Sequence, residues 1–186
     1  MPDRPYKAYW DACVFLSLIE GTPDRIAIIN TIIDECRRNE VEIYTSVLSI
    51  AEVAFAKAEK DGKVLDSAVD KKIDKLWIPS SPFKLVEIHS ALMHSAKSLM
   101  RKAHGGKGWA LKPADAIHLV TAQSVRVDAF HTYDDKLPKL SELLGITIEK
   151  PRTDRFVWEG KESESPAPKQ AEPKAERAKR KSARKK

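Results

Sequence analysis

Short apolar runs recur along this chain, separated by stretches with helical spacing, and acidic residues stand just past several of the runs. That alternation is the tightest constraint on the fold. Strands joined through one or two helices must lie parallel, linked by right-handed crossovers, with helices on both faces of one sheet. Tyr6 to Trp10 is the first run, and Asp11 ends it before the helical pattern Val14, Phe15, Leu18, Ile19. Thr22-Pro23-Asp24 supplies an N-cap, a proline at the first helical position and an acid in the first turn. A helix to about Asn39 is predicted, burying Ile26, Ile29, Ile32, Ile33 and Cys36 along one stripe.

Val41 to Tyr44 reads as the second strand, and Thr45 or Ser46 caps a helix to Gly62 that carries Glu52 in its second turn. A further helix from Val64 to Trp77 stops at Pro79-Ser80-Ser81-Pro82. Phe83 to Ile88 is the third strand, followed by a helix from Ser90 to Ala103. His104-Gly105-Gly106-Lys107-Gly108 reads as a flexible loop, after which Pro113 starts a helix with Asp115 in its first turn. Val127 to Thr132 is the fourth strand, with Asp134 and Asp135 just beyond it, and Ile146 to Ile148 is a short fifth.

In parallel sheets ligands gather at the carboxyl ends of the strands, near the point where strand order reverses. Asp11 and Asp134 follow strands one and four, while Glu52 and Asp115 lie in early turns of helices entered from that same edge. The pattern predicts that these acids converge. Carboxylates brought together repel and resist desolvation, so a hard divalent cation is the natural counter-charge. Oxygen donors suit Mg²⁺ or Mn²⁺, whereas zinc more often recruits His or Cys. Arg101, Lys107, Lys112 and Lys136 flank the acids and are candidate phosphate contacts. His118, three residues after Asp115, is expected to pack on the inner face of its helix.

Length and composition allow one core of ordinary size, with 186 residues of which 42% are apolar. Residues 1–160 hold 23 basic and 23 acidic side chains, so the net charge of +6 belongs to the rest of the chain. From Glu159 onward no Val, Ile, Leu, Met, Phe, Tyr, Trp or Cys occurs, and such a segment cannot offset its ordering entropy by burial. Residues 159–186 are therefore expected to be a disordered basic tail behind a domain of residues 1–158. A solubilising role fits that composition as well as nucleic-acid binding does.

Cys13 and Cys36 have no zinc spacing and are expected to be buried thiols in a reducing, cytoplasmic setting. No stretch approaches the ~18 apolar residues of a membrane span, and no membrane partner is expected. The glycine-rich run lacks the GxxxxGK[ST] spacing of a phosphate-binding loop. Asp11-Ala12-Cys13 lacks the DxD nucleophile of haloacid-dehalogenase-type phosphotransferases.

Four segments together resemble the PIN-domain ribonucleases, including VapC-like toxins. They are Tyr9-Trp10-Asp11-Ala12-Cys13-Val14, Ser49-Ile50-Ala51-Glu52-Val53, Pro113-Ala114-Asp115-Ala116-Ile117-His118-Leu119-Val120-Thr121-Ala122, and His131-Thr132-Tyr133-Asp134-Asp135-Lys136-Leu137. The resemblance implies a three-layer α/β/α domain with a central parallel sheet and a Mg²⁺ or Mn²⁺ site that cleaves RNA. Asp11 would be the central ligand, with Asp115 and Asp134 completing the shell and Glu52 binding metal directly or through water. Thr132 would orient the cluster, and Asp135 is the alternative to Asp134. Partners implied are RNA, an antitoxin protein and a second copy of the chain. An inactive PIN-like module that binds RNA or protein is the competing expectation.

Deleting residues 160–186 should weaken RNA binding and flatten its dependence on salt, because fewer counterions are then released from phosphate. Binding titrations at two or more salt concentrations check this, and unchanged affinity at low salt would contradict it.

Overall fold

The computed structural model describes residues 4–61 and 67–154, with side-chain placement for these except 56–61 and 107. The expected tail, 159–186, and its boundary at 158 lie outside the described residues, as does Lys107 beyond its backbone. Among the described residues five strands form one sheet: β1 (Tyr6–Trp10), β2 (Val41–Ser46), β3 (Phe83–Val86), β4 (Ala129–His131) and β5 (Thr147–Glu149). Their order is β3-β2-β1-β4-β5, and every neighbouring pair is parallel. The α/β class and central parallel sheet predicted from the alternation are what the chain adopts.

Among the described residues seven α-helices accompany the sheet: α1 (Ala12–Glu20), α2 (Ile26–Arg37), α3 (Leu48–Asp61), α4 (Ser67–Asp74), α5 (Ser90–Lys107), α6 (Pro113–Val125) and α7 (Ser141–Leu144). The period-two alternation of β1 assigns the layers. Ala8 and Trp10 belong to a core with Val14, Phe15, Ile29, Ile32 and Ile73, which places α1, α2 and α4 on one face. Tyr9 belongs to a second core with Leu99, Ala116, Leu119, Phe130 and Ile148, beneath α5 and α6. Phe15 anchors the first core by edge-on contacts with Trp10, Trp77 and Phe83 at centroid distances of 5.6, 5.1 and 5.0 Å. Such aromatic pairs add about 0.5–1.5 kcal/mol each beyond their buried area. Across the sheet Tyr9 stacks on Phe130 at 5.1 Å.

From β1 the chain winds outward through β2 to β3, then crosses back to place β4 on the other side of β1. The switch point therefore lies between β1 and β4, where Trp10 pairs with His131. Asp128 ties down the opposite ends of these strands. Its carboxylate accepts from the Lys7 backbone N–H at 2.8 Å and pairs with Arg4 at 2.6 Å.

Several boundaries differ from the sequence reading. The helix predicted from Thr22 begins at Ile26, because Thr22 O accepts from the N–H groups of Arg25 and Ile26 in a preceding turn. The expected fourth strand shortens to Ala129–His131: Arg126 takes φ 54° and Val127 N–H returns to Ala122 O, so these residues finish α6. The expected loop at His104–Gly108 is helical through Lys107. Gly108 is the terminator, with φ 66° and its N–H on His104 O at 2.9 Å. Gly105 and Gly106 stay inside the helix, since a left-handed residue ends a helix and glycine alone does not. Among the described residues no helix is long and apolar enough to cross a membrane.

The corrected helix end makes two neighbouring glycines respond oppositely. An added Cβ meets nothing within 4 Å at either position. Gly106→Ala should stabilise by about 0.5–1 kcal/mol through helix propensity, and Gly108→Ala should destabilise by about 1–2 kcal/mol through left-handed strain. Urea unfolding of both variants measures the two signs.

Candidate functional site

Asp11 stands where β1 becomes α1, and its side chain serves as the N-cap of that helix. Oδ1 accepts from the N–H groups of Cys13 at 3.1 Å and Val14 at 3.3 Å, and from the Cys13 thiol at 2.8 Å. All three donors reach the same oxygen. The carboxylate is only 8% exposed, and burial pushes its pKa up against the opposing pull of Cys13, Thr132 and His118. An anion is thus held where desolvation penalises it.

Asp115 occupies the first turn of α6 behind Pro113, as the sequence predicted. Its carboxyl is also raised, first by burial and next by the negative charge of Asp134, with Asp11 adding to the effect. Lys112 and His118 oppose that rise. Three acids from three distant segments therefore share one electrostatic environment at the carboxyl end of the sheet.

Asp134 and Asp135 separate by what each side chain touches. Asp134 Oδ1 accepts from the Lys136 backbone N–H at 2.8 Å, while its own N–H donates to Thr132 Oγ1 at 2.9 Å. Asp135 turns outward, 80% exposed, and pairs with Lys150 at 2.9 Å. Thr132 is buried beside Asp11, with its hydroxyl 3.4 Å from the Cys13 sulfur. Of the expected basic residues, Lys112 is exposed at the start of α6, Lys136 is exposed beside Asp134, and Arg101 is exposed on α5. A cleft of about 540 Å³ lined by Leu18, Ile33, Arg37, Lys72, Lys75 and Phe83 lies on the α1, α2 and α4 side and contains none of the four acids.

Glu52 reaches the same region from α3, but His118 already engages it. The His118 Nε2 lies 2.5 Å from Glu52 Oε2, and its Nδ1 lies 2.7 Å from the Tyr9 hydroxyl. The Ser46 backbone N–H donates to that hydroxyl at 2.9 Å. His118 is buried as predicted, yet it is bonded at both ring nitrogens. Its three-residue offset from Asp115 placed it on the same helical face, which was the available signal. Tyr9 carried no signal beyond its strand.

Cys13 also departs from expectation. Both cysteines are free and only partly buried. Cys13 donates to Asp11 and accepts from the Tyr133 backbone N–H at 3.0 Å. Burial and the Asp11 charge push its pKa far above the ordinary thiol range, so it remains a neutral donor. Among the described residues, no three His, Cys, Asp or Glu side chains stand close enough to enclose an ion as placed.

A family model described as PIN domain matches residues 8–143. No curated protein matches the chain by sequence. Several solved structures share the fold. VapC20 of Mycobacterium tuberculosis, a toxin that cleaves the sarcin-ricin loop, aligns at 9% identity and a TM-score of 0.54, covering 69% of this chain and 90% of that one. VapBC2 of Rickettsia felis, bound to a promoter DNA fragment, aligns at 14% identity and 0.56, covering 77% and 98%. FitAcB of Neisseria gonorrhoeae aligns at 16% identity and 0.51, covering 77% and 97%.

The raised Asp115 carboxyl fixes a sign for stability. Between its unfolded and folded pKa values the native state binds more protons than the unfolded chain, so stability falls as pH rises through that window. Asp115→Asn removes the group. Its melting temperature relative to the native chain, with divalent ions chelated, should therefore climb from pH 4 to pH 7. Solvent screening of a half-buried side chain limits the gain to about 2–4 °C. Scanning calorimetry at both pH values is the check, and a flat difference would contradict the assigned environment.

Proposed function

The chain belongs to the PIN domain family, and on that premise we propose that it is a divalent-metal-dependent endoribonuclease whose chemistry is carried by Asp11, Glu52, Asp115 and Asp134. The observation that carries this is the shared electrostatics of Asp115, Asp134 and Asp11 at the switch point of the sheet. Buried, mutually repelling carboxylates gain most from a bound cation. The donor set fits Mg²⁺ or Mn²⁺ in kind, being carboxylate oxygen.

Asp11, Asp115 and Asp134 would hold the ion, with Glu52 joining directly or through water. When bound, the ion supplies charge neutralisation at phosphate and a more acidic water. The protein's own part is orientation. Hydrogen bonds on Oδ1 fix the Asp11 carboxylate, so that its second oxygen is the one left for a ligand. Thr132 sets the turn that presents Asp134. Asp134 rather than Asp135 is assigned to the ion, because Asp135 turns outward and pairs with Lys150. Lys112 and Lys136, exposed at the rim, would meet substrate phosphates, and Arg101 and Lys107 are assigned the same role on sequence position alone. Membership of a toxin–antitoxin pair, with an antitoxin partner and a homodimer in the cytoplasm, is one form this activity would take.

A second reading, a PIN module that binds RNA without cutting it, is favoured by one feature: the acids as placed do not already enclose a common point. Cleavage of single-stranded and structured RNA with Mn²⁺ or Mg²⁺ separates the two. The native chain should cut, and Asp11→Asn and Asp115→Asn should each slow cutting by roughly 100-fold or more while RNA binding persists. Asparagine keeps the α1 cap, so loss of fold does not explain that result for Asp11. Binding without cleavage under either ion would establish the module instead.

A further inference from the structure

A chain of hydrogen bonds joins three elements of the fold, β2, β1 and α6, to Glu52 on α3. The Ser46 N–H, at the end of β2, donates to the Tyr9 hydroxyl oxygen on β1. Having accepted there, the hydroxyl keeps its own hydrogen to give, and its other neighbour is His118 Nδ1 at 2.7 Å. Nδ1 is then the acceptor, which leaves the imidazole proton on Nε2 facing Glu52 Oε2. The backbone amide can only donate, so the Tyr9 oxygen is the acceptor at that link, and giving the phenol hydrogen to Nδ1 is the arrangement that turns Nε2–H toward Glu52.

The links are buried and the last one is not. Tyr9 is fully buried and His118 is 3% exposed, whereas the Glu52 side chain is 28% exposed. Glutamate has more rotatable bonds than aspartate, and left alone on α3 it would sample several rotamers at the mouth of the site. His118 engages Oε2 and so does not consume Oε1. Both of its ring nitrogens are occupied within the protein, which leaves neither directed at a substrate.

We propose that His118, set by Tyr9 and Ser46, is a positioning residue that locks Glu52 so that its second carboxylate oxygen faces the Asp11–Asp115–Asp134 cluster. The assignment rests on the metal-dependent reading above. His118 acts through Glu52 and touches no reacting atom.

Calorimetric Mn²⁺ titration of the full-length protein, without RNA, tests it in a double-mutant cycle. His118→Ala should weaken Mn²⁺ binding about 10–100-fold, the range typical for partners that orient a ligand. In a Glu52→Ala background the same substitution should change affinity by less than about twofold, because the group it orients is gone. His118→Gln, whose amide can stand in for Nε2, should recover most of the loss, and the shorter His118→Asn should not. Should His118→Ala fail to fold, as judged by circular dichroism, the Gln and Asn variants carry the comparison. Equal losses with and without Glu52, or no difference between Gln and Asn, would overturn the positioning role while leaving the metal site intact. A native protein that binds no Mn²⁺ would overturn the metal-dependent reading, and this inference with it.

Discussion

Two parallel strands, β1 and β4, end side by side where the winding of the sheet reverses, and the rest of the site depends on that adjacency. Two helices connect each strand to its neighbour on the outward run, and the return crossover through α5 and α6 sets β4 on the other side of β1, so the connections leave β1 and β4 in opposite directions. Asp11 caps α1 at one lip, and Thr132 with Asp134 turns away from the other. The Asp11 N–H on His131 O, at 3.4 Å, stitches the lips together. Without that pairing the acids would be scattered surface groups.

The same adjacency creates the electrostatic tension of the site. Asp11 and Asp115 are held above the ordinary carboxylate range chiefly by burial. Helix starts partly offset this, since unpaired N–H groups there favour an anion. The compensation for Asp11 is visible in its donors, all on one oxygen. A fold that keeps desolvated like charges together sacrifices stability at neutral pH, and it does so where a ligand could relieve the strain.

Legibility from sequence followed the range of the interaction. Asp11 was identifiable because the strand it ends and the helix it caps are its immediate neighbours, and Asp115 because Pro113 marks a helix start two residues earlier. The preference for Asp134 over Asp135 came from motif register, and the structure shows the two side chains in different settings. The glycine run failed as a loop signal, because Gly105 and Gly106 tolerate helical dihedrals and Gly108 alone adopts the left-handed one. The bonding of His118 was hidden for another reason: its partners at positions 9 and 52 are over sixty residues away in the chain.

Strand and helix periodicity, local caps and turn residues are short-range properties, and they specified the elements, their order and the acids at their ends. Parallel pairing followed, since helical crossovers admit little else. What no local pattern contains is which side-chain atoms meet once the layers close. The thiol of Cys13 on Asp11, and the path from Ser46 through Tyr9 and His118 to Glu52, come from packing between segments that sequence periodicity treats independently. Distance and direction between such atoms are set by the close-packed interior as a whole.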